Sequence, residues 1–219
     1  APLVLLLLVT LSFFLIRLAP GDPFSSEKEI SPEVRAAFEA KYNLDKPIFS
    51  QYLHFLKMTS QGDLGLSMRN KSKTVNDIIG EALPKSLYLG SLALLLALAI
   101  GVTAGIIAAV KQNSTVDLTC MGLAVLGISL PTFLIGPLLQ LLFAVHLKIL
   151  PISDYAGGQW NHMVLPAFTL SLPFAARIAR LMRAGMLDAL GQEYIRTAKA
   201  KGLSNFKVIL KHALRGGVQ

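Results

Sequence analysis

The sequence predicts an all-α membrane protein, a polytopic helix bundle with about four spans, and three observations carry that prediction. Hydrophobic residues make up 53% of the 219 positions and charged residues 16%, with a mean hydropathy of +0.55. The apolar residues gather into long uncharged runs separated by polar stretches, as in a chain whose solvent is lipid. The net charge of +8 is local: residues 19–85 hold nine Lys/Arg against nine Asp/Glu, whereas residues 177–219 hold nine Lys/Arg against Asp188 and Glu193 alone. Such asymmetry marks a cytoplasmic flank. No interleaved aromatics offer a base-stacking surface, which argues against a nucleic-acid partner. Cys120 is the single cysteine and lies within an apolar run, so it reads as a small packed hydrophobe and no disulfide framework is possible.

The elements follow in order. Ala1–Leu18 is uncharged up to Arg17 and reads as a first transmembrane helix; the alternative, a cleaved signal peptide, lacks a basic start, and Leu18-Ala19-Pro20-Gly21 is a poor cleavage site. Residues 19–85 are too long for a bare connection and are expected to form an extracytoplasmic helical segment. Within it Ser31-Pro32-Glu33 opens one helix, with Val34, Phe38 and Tyr42 on one face, and Ile48 to Met58 forms another. Gln61-Gly62-Asp63-Leu64-Gly65 is turn chemistry, and Thr74-Val75-Asn76-Asp77 starts a last short helix.

The transmembrane domain is expected over residues 86–219, with a cytoplasmic loop at 183–219. Ser86 to Val110 and Leu118 to Leu147 contain no Lys, Arg, Asp or Glu, so each is long enough to span with tilt. A fourth span runs from Met163 to Met182. Its limit is set by magnitude: an Arg at a helix centre costs about 2.5–3.5 kcal/mol, whereas Arg177, Arg180 and Arg183 near the cytoplasmic end can snorkel to the headgroups. Pro166 and Pro173 are expected to kink this helix. Along the second span Ala93, Ala97, Gly101, Gly105 and Ala109 recur every four residues on one narrow face, a stripe suited to close helix packing in lipid.

The chemistry is elsewhere. The chain has no GxxxxGK[ST] loop for ATP, and no GxSxG or HExxH; His54, His146, His162 and His212 are scattered without ligand spacing. No catalytic residue, metal site or bound cofactor is therefore expected, and the protein does not read as an enzyme. The proposed spans hold no Asp, Glu or Lys, which disfavours a proton-driven carrier. The informative stretch is basic: Gly185 to Lys201 reads as a helix with Tyr194, Ala198 and Lys201 on one face, Gly202-Leu203 ends it, and Ser204 caps a second helix. By composition alone this element also suits an anchor whose basic tail binds anionic lipid.

Glu193-Tyr194-Ile195-Arg196-Thr197-Ala198-Lys199-Ala200-Lys201-Gly202-Leu203, followed by Val208-Ile209-Leu210-Lys211-His212-Ala213-Leu214-Arg215, closely resembles the cytoplasmic EAA loop of ABC-importer permeases, in its dipeptide and oligopeptide form. Three further matches stand in the right order: Leu15-Ile16-Arg17-Leu18-Ala19-Pro20-Gly21-Asp22-Pro23, Gly62-Asp63-Leu64-Gly65 with Ser67 and Arg69, and Leu172-Pro173-Phe174-Ala175-Ala176 with Arg180 and Arg183. Arg196-Thr197-Ala198 stands where the general motif has Glu-Ala-Ala, and Gly202 holds the glycine position. After Arg215 the chain reads Gly216-Gly217-Val218-Gln219 in place of the family's Asn-Ala-Leu-Leu-Pro, leaving native variation and a truncated end both open.

The resemblance implies a multi-pass subunit of the bacterial inner membrane, six-spanning when complete, that forms a pathway for di- or oligopeptides with a second permease. Nickel or another small solute is the alternative cargo. It also implies two cytoplasmic ATPase subunits, which bind the ATP, and an extracytoplasmic solute-binding protein, with membrane lipid around the bundle. Glu193, Tyr194, Arg196, Thr197, Ala198, Lys199, Ala200, Lys201, Gly202 and Leu203 would then contact an ATPase.

With the basic tail inside, residues 19–85 lie outside. In a Cys120→Ala background, an impermeant thiol reagent applied to intact cells should therefore label a cysteine placed at Ser60 and spare one at Ser204. The opposite pattern would invert the orientation.

Overall fold

A computed structural model describes residues 2–18, 46–65, 67, 73–152 and 159–217. They are mostly helical, with no β-strand among the described residues, and the chain divides into two compact units, Ala1–Pro84 and Lys85–Gln219. The expected helix at Ser31-Pro32-Glu33 lies outside the described residues.

In the first unit, helix α1 (Pro2–Leu18) is 17 residues long and α2 (Ile48–Ser60) packs on it through aromatic rings. Phe13 lies 5.4 Å from Tyr52 and 5.3 Å from Phe55, while Phe14 is 5.4 Å from Tyr52. Polar groups fasten the same contact. The hydroxyls of Thr10 and Tyr52 share a hydrogen bond of 2.7 Å, and the Arg17 guanidinium donates to Gln51 Oε1 while standing 5.2 Å over the Phe13 ring. Beyond α2, Asn76 holds the Gln61–Gly65 turn: its Nδ2 donates to the Gly62 carbonyl at 2.5 Å and its Oδ1 accepts from the Leu64 amide at 2.9 Å.

Helix α3 (Val75–Val110) starts at a reciprocal cap. The Asp77 amide donates to Thr74 Oγ1 and the Thr74 amide to Asp77 Oδ2, both at 3.0 Å. The expectation of a short helix here followed by a separate span is corrected: the helix runs 36 residues without a break. Pro84 lies inside it and removes one donor of the helical ladder without ending it. At 1.5 Å per residue such a helix is about 54 Å long, more than a hydrocarbon core requires, so its polar start with Asn76, Asp77, Glu81 and Lys85 extends beyond the apolar stretch.

In the second unit the long helix α6 (Asn161–Leu190) is central. The stripe residues Ala93, Ala97, Gly101, Gly105 and Ala109 of α3 are all buried. A Cβ added to Gly101 would stand 2.7 Å from the Ala175 carbonyl oxygen and 2.8 Å from Ile178 Cβ; one on Gly105 would stand 2.6 Å from both the Ala179 carbonyl oxygen and Met182 Cβ. The two helices therefore meet backbone to backbone, and only glycine fits. Helix α4 (Thr115–Ser129) approaches α6 at Gly127, beside Ala176 and Leu172, and α5 (Thr132–Gln140) approaches it at Gly136, beside Thr169. Pro166 and Pro173 sit inside α6 and neither ends it.

The continuous span expected over Leu118–Leu147 is corrected by a break. Helices α4 and α5 meet at 104°, and α5 passes into a π-helical turn, Leu141–His146. Pro131 is the cause: it offers no amide to the ladder and drives the residue before it out of the helical region, Leu130 taking φ −83° and ψ 124°. Among the described residues two helices, α3 and α6, are thus long and apolar enough to cross a membrane, or three spans if the bent pair counts as one, with α1 a shorter apolar helix.

Gly101→Leu should force α3 and α6 apart and lower the stability of the purified full-length protein by about 1–3 kcal/mol. Gly90→Leu is the control, since a Cβ there meets nothing within 4 Å. Equal melting temperatures for the two variants would show that the glycine contact carries no packing energy.

Candidate coupling site

Helix α6 continues eight residues past Met182, then stops. The single helix expected over Gly185–Lys201 is two helices, because Gln192 adopts an extended backbone, φ −76° and ψ 151°, and starts α7 (Glu193–Ala200). Nothing in the composition of that stretch marks the turn except Gly191 and Gln192. Helix α7 is anchored by two side chains three residues apart: Ile195 is 1% exposed and Ala198 5%. They enter a buried cluster with Ala109 of α3 and Met182, Met186 and Ala189 of α6. Burying an isoleucine contributes about 1.5–3 kcal/mol toward seating this short helix.

The helix ends in a two-bond cap. The Gly202 amide donates to the Lys199 carbonyl at 2.9 Å and the Leu203 amide to the Ala198 carbonyl at 3.4 Å, while Leu203 packs against the buried cluster. Gly202 takes φ +77°, the left-handed conformation this cap needs, and open space surrounds the position of its missing Cβ. The chain returns through α8 (Asn205–Lys207), a π-helical turn (Val208–Ala213) and α9 (Leu214–Gly217); Ser204 precedes α8 in extended conformation without a side-chain cap bond. Val208 and Ala213 close the cluster from this side. Gly217 lies against Gly185 and Met186, where a Cβ on Gly185 would collide with the Gly217 carbonyl, and Gly216 lies against Ala189 and the Tyr194 hydroxyl.

Of the residues singled out by sequence, Glu193, Tyr194, Arg196, Thr197, Lys199, Ala200, Lys201 and Gly202 are exposed and Leu203 is half-buried. Ala198 is different. It belongs to this chain's own core together with Ile195, while Tyr194 and Lys201, at helical spacing from it, are exposed. Arg196 pairs with Glu193 at 2.8 Å, but both side chains are more than 70% exposed, so the pair contributes little.

Sequence reasoning missed one pair. Helix α3 ends at Val110, Asn113 turns the chain with φ 59°, and Ser114 caps α4. Asp117, 4% exposed, receives Nε and Nη2 of Arg183, each at 2.6 Å, and its Oδ2 also accepts the Asn113 amide at 2.9 Å. The hydropathy argument sent Arg183 to the headgroups. An acid at the third helical position after Ser114 was the available signal, but its partner 66 residues away was not. Among the described residues, no three His, Cys, Asp or Glu side chains come together as metal ligands would.

Residues 101–218, which hold the glycine contacts, the bent pair and the α7 loop, match the family model for the binding-protein-dependent transport system inner membrane component. The chain is 48% identical over 211 residues to the oligopeptide transport system permease protein OppB of Haemophilus influenzae, covering 96% of this chain and 69% of that one. OppB of Salmonella typhimurium is 47% identical with the same coverage. The dipeptide transport system permease protein DppB of Bacillus subtilis is 44% identical over 98% of this chain and 69% of its own. The chain therefore belongs to the binding-protein-dependent transport family and is a multi-pass permease component of the inner membrane.

Proposed function

We propose that the protein is a pathway-forming permease subunit of an ATP-driven importer for di- or oligopeptides, and that α7 is the helix through which ATPase subunits drive it. The cargo follows the names of its relatives, which are oligopeptide and dipeptide permeases. A second permease, two ATPases on the basic side and a solute-binding protein on the other complete the assembly. The chain has no phosphate-binding loop, so its energy comes from a partner.

One observation supports the coupling role above the others: α7 is a short polar helix held rigidly by its inner face and open on its outer one. Ile195 and Ala198 fasten it to α6, while Tyr194, Thr197, Lys199, Ala200 and Lys201 remain exposed. Ala200 is the small exposed residue that lets a partner groove approach the helix closely. A push on α7 passes through the cluster at Met186 and Ala189 into α6, a helix of 30 residues that runs back through the bundle. Displacement of one rigid element against its neighbours is the means by which such bundles alternate access.

The test is carried out on the reconstituted full-length complex. A cysteine at Ala200 should form a disulfide with cysteines in the ATPase groove. Gly202→Val places its side chain in open space, so its effect is backbone strain of at least about 1 kcal/mol at the cap. It should leave insertion intact and weaken transport-coupled ATP hydrolysis. A lipid-binding helix would give no disulfide and unchanged hydrolysis, and that result would remove the coupling assignment.

A further inference from the structure

The pair Asp117–Arg183 has no part in the proposed coupling, yet its geometry is closely constrained. Both carboxylate oxygens are engaged, Oδ1 by Arg183 Nε at 2.6 Å and Oδ2 by Arg183 Nη2 at 2.6 Å. A fork of this kind fixes orientation as well as distance. Oδ2 is held from the other side by the Asn113 amide, so the pair also grips the turn between α3 and α4. Asp117 is at the start of α4. Arg183 is on α6 seven residues before its last residue, about 10 Å along the axis from the turn that starts α7.

Position gives this contact a consequence. Helix α4 runs from Asp117 alongside α6, past Gly127 beside Ala176, to the bend at Leu130–Pro131. An open depression of about 640 Å³, lined by Asn113, Ser114, Leu118 and Met121, borders the pair, so on that side the joint is held by its charges and not by packing. We infer that Asp117 and Arg183 are positioning residues for transport: their ion pair makes α4 follow α6 when α7 is pushed, and so carries the displacement to the bend. This rests on the coupling role of α7, with which it shares α6. At Gly101 and Gly105, by contrast, α3 meets α6 through close packing against Ala175, Ile178, Ala179 and Met182.

The experiment uses the reconstituted full-length complex with Asp117→Asn, which keeps the shape and removes the charge. Peptide taken up per ATP hydrolysed should fall roughly tenfold, the order of coupling carried by one two-state contact. The double variant D117R/R183D should restore most of that ratio, as a mere filler of space would not. Spin labels at the exposed positions Thr119 and Ala184 should keep one separation across nucleotide states in the parent and change separation in Asp117→Asn. If Asp117→Asn fails to assemble, Arg183→Lys is used, which keeps the charge and loses the fork; the ratio should again fall. A parental ratio in whichever variant assembles, together with a constant label separation, overturns the inference. The Ala200 disulfide separates the two failures: its presence with a parental ratio overturns the joint alone, and its absence overturns the coupling role beneath it.

Discussion

How closely other helices approach α6 decides the rest of the second unit. In lipid, apolar side chains gain nothing by leaving the hydrocarbon for each other, so helices associate through dispersion at short range and through the few polar bonds available. Gly101 and Gly105 bring α3 to the α6 backbone, and Gly127 and Gly136 set α4 and α5 along the same helix. Farther along, Gly185 admits Gly217, and the returning chain is held against α6 there. The α7 loop inherits its position from this arrangement. Its buried cluster is made of α3 and α6 side chains as much as its own.

Charge is used sparingly and in two different ways. Arg196 and Glu193 pair in the open, where water competes for both and side-chain entropy opposes the contact. Asp117 and Arg183 pair where the carboxylate is nearly closed off from solvent, so loss of the arginine would strand it. The first pair decorates a surface, whereas the second determines which helices belong together.

Much of this was legible in the sequence, and the failures have physical causes. Hydropathy found the apolar runs because span length and freedom from charge are properties of a segment by itself. The stripe on α3 was visible because four-residue spacing places small residues on one helix face. Hydropathy counts charges and ignores backbone chemistry, however, so it read through Pro131, and the break between α4 and α5 went unseen. At Gly191-Gln192 the error was the same in kind, since helix-forming neighbours on both sides hid a change of direction. Asp117–Arg183 escaped for another reason: a contact across 66 positions depends on two spans lying side by side, which no local pattern encodes. The inward turn of Ala198 is likewise tertiary, because Ile195, 1% exposed against 43% for Tyr194, sets the rotation of α7.

The bend at Leu130–Pro131 also bears on how the chain enters the bilayer. Helix α4 has 15 residues and α5 with its π-helical turn has 15, each about 22 Å, so neither half alone crosses a hydrocarbon core of about 30 Å. A break between them leaves terminal amides and carbonyls outside the helical ladder, and lipid has no partners for such groups. During synthesis this hairpin is therefore poorly suited to release into lipid on its own. Each half touches α6, at Gly127 and at Gly136, while Ser129, Leu130 and Pro131 remain exposed, so α6 steadies the two halves without covering the break between them.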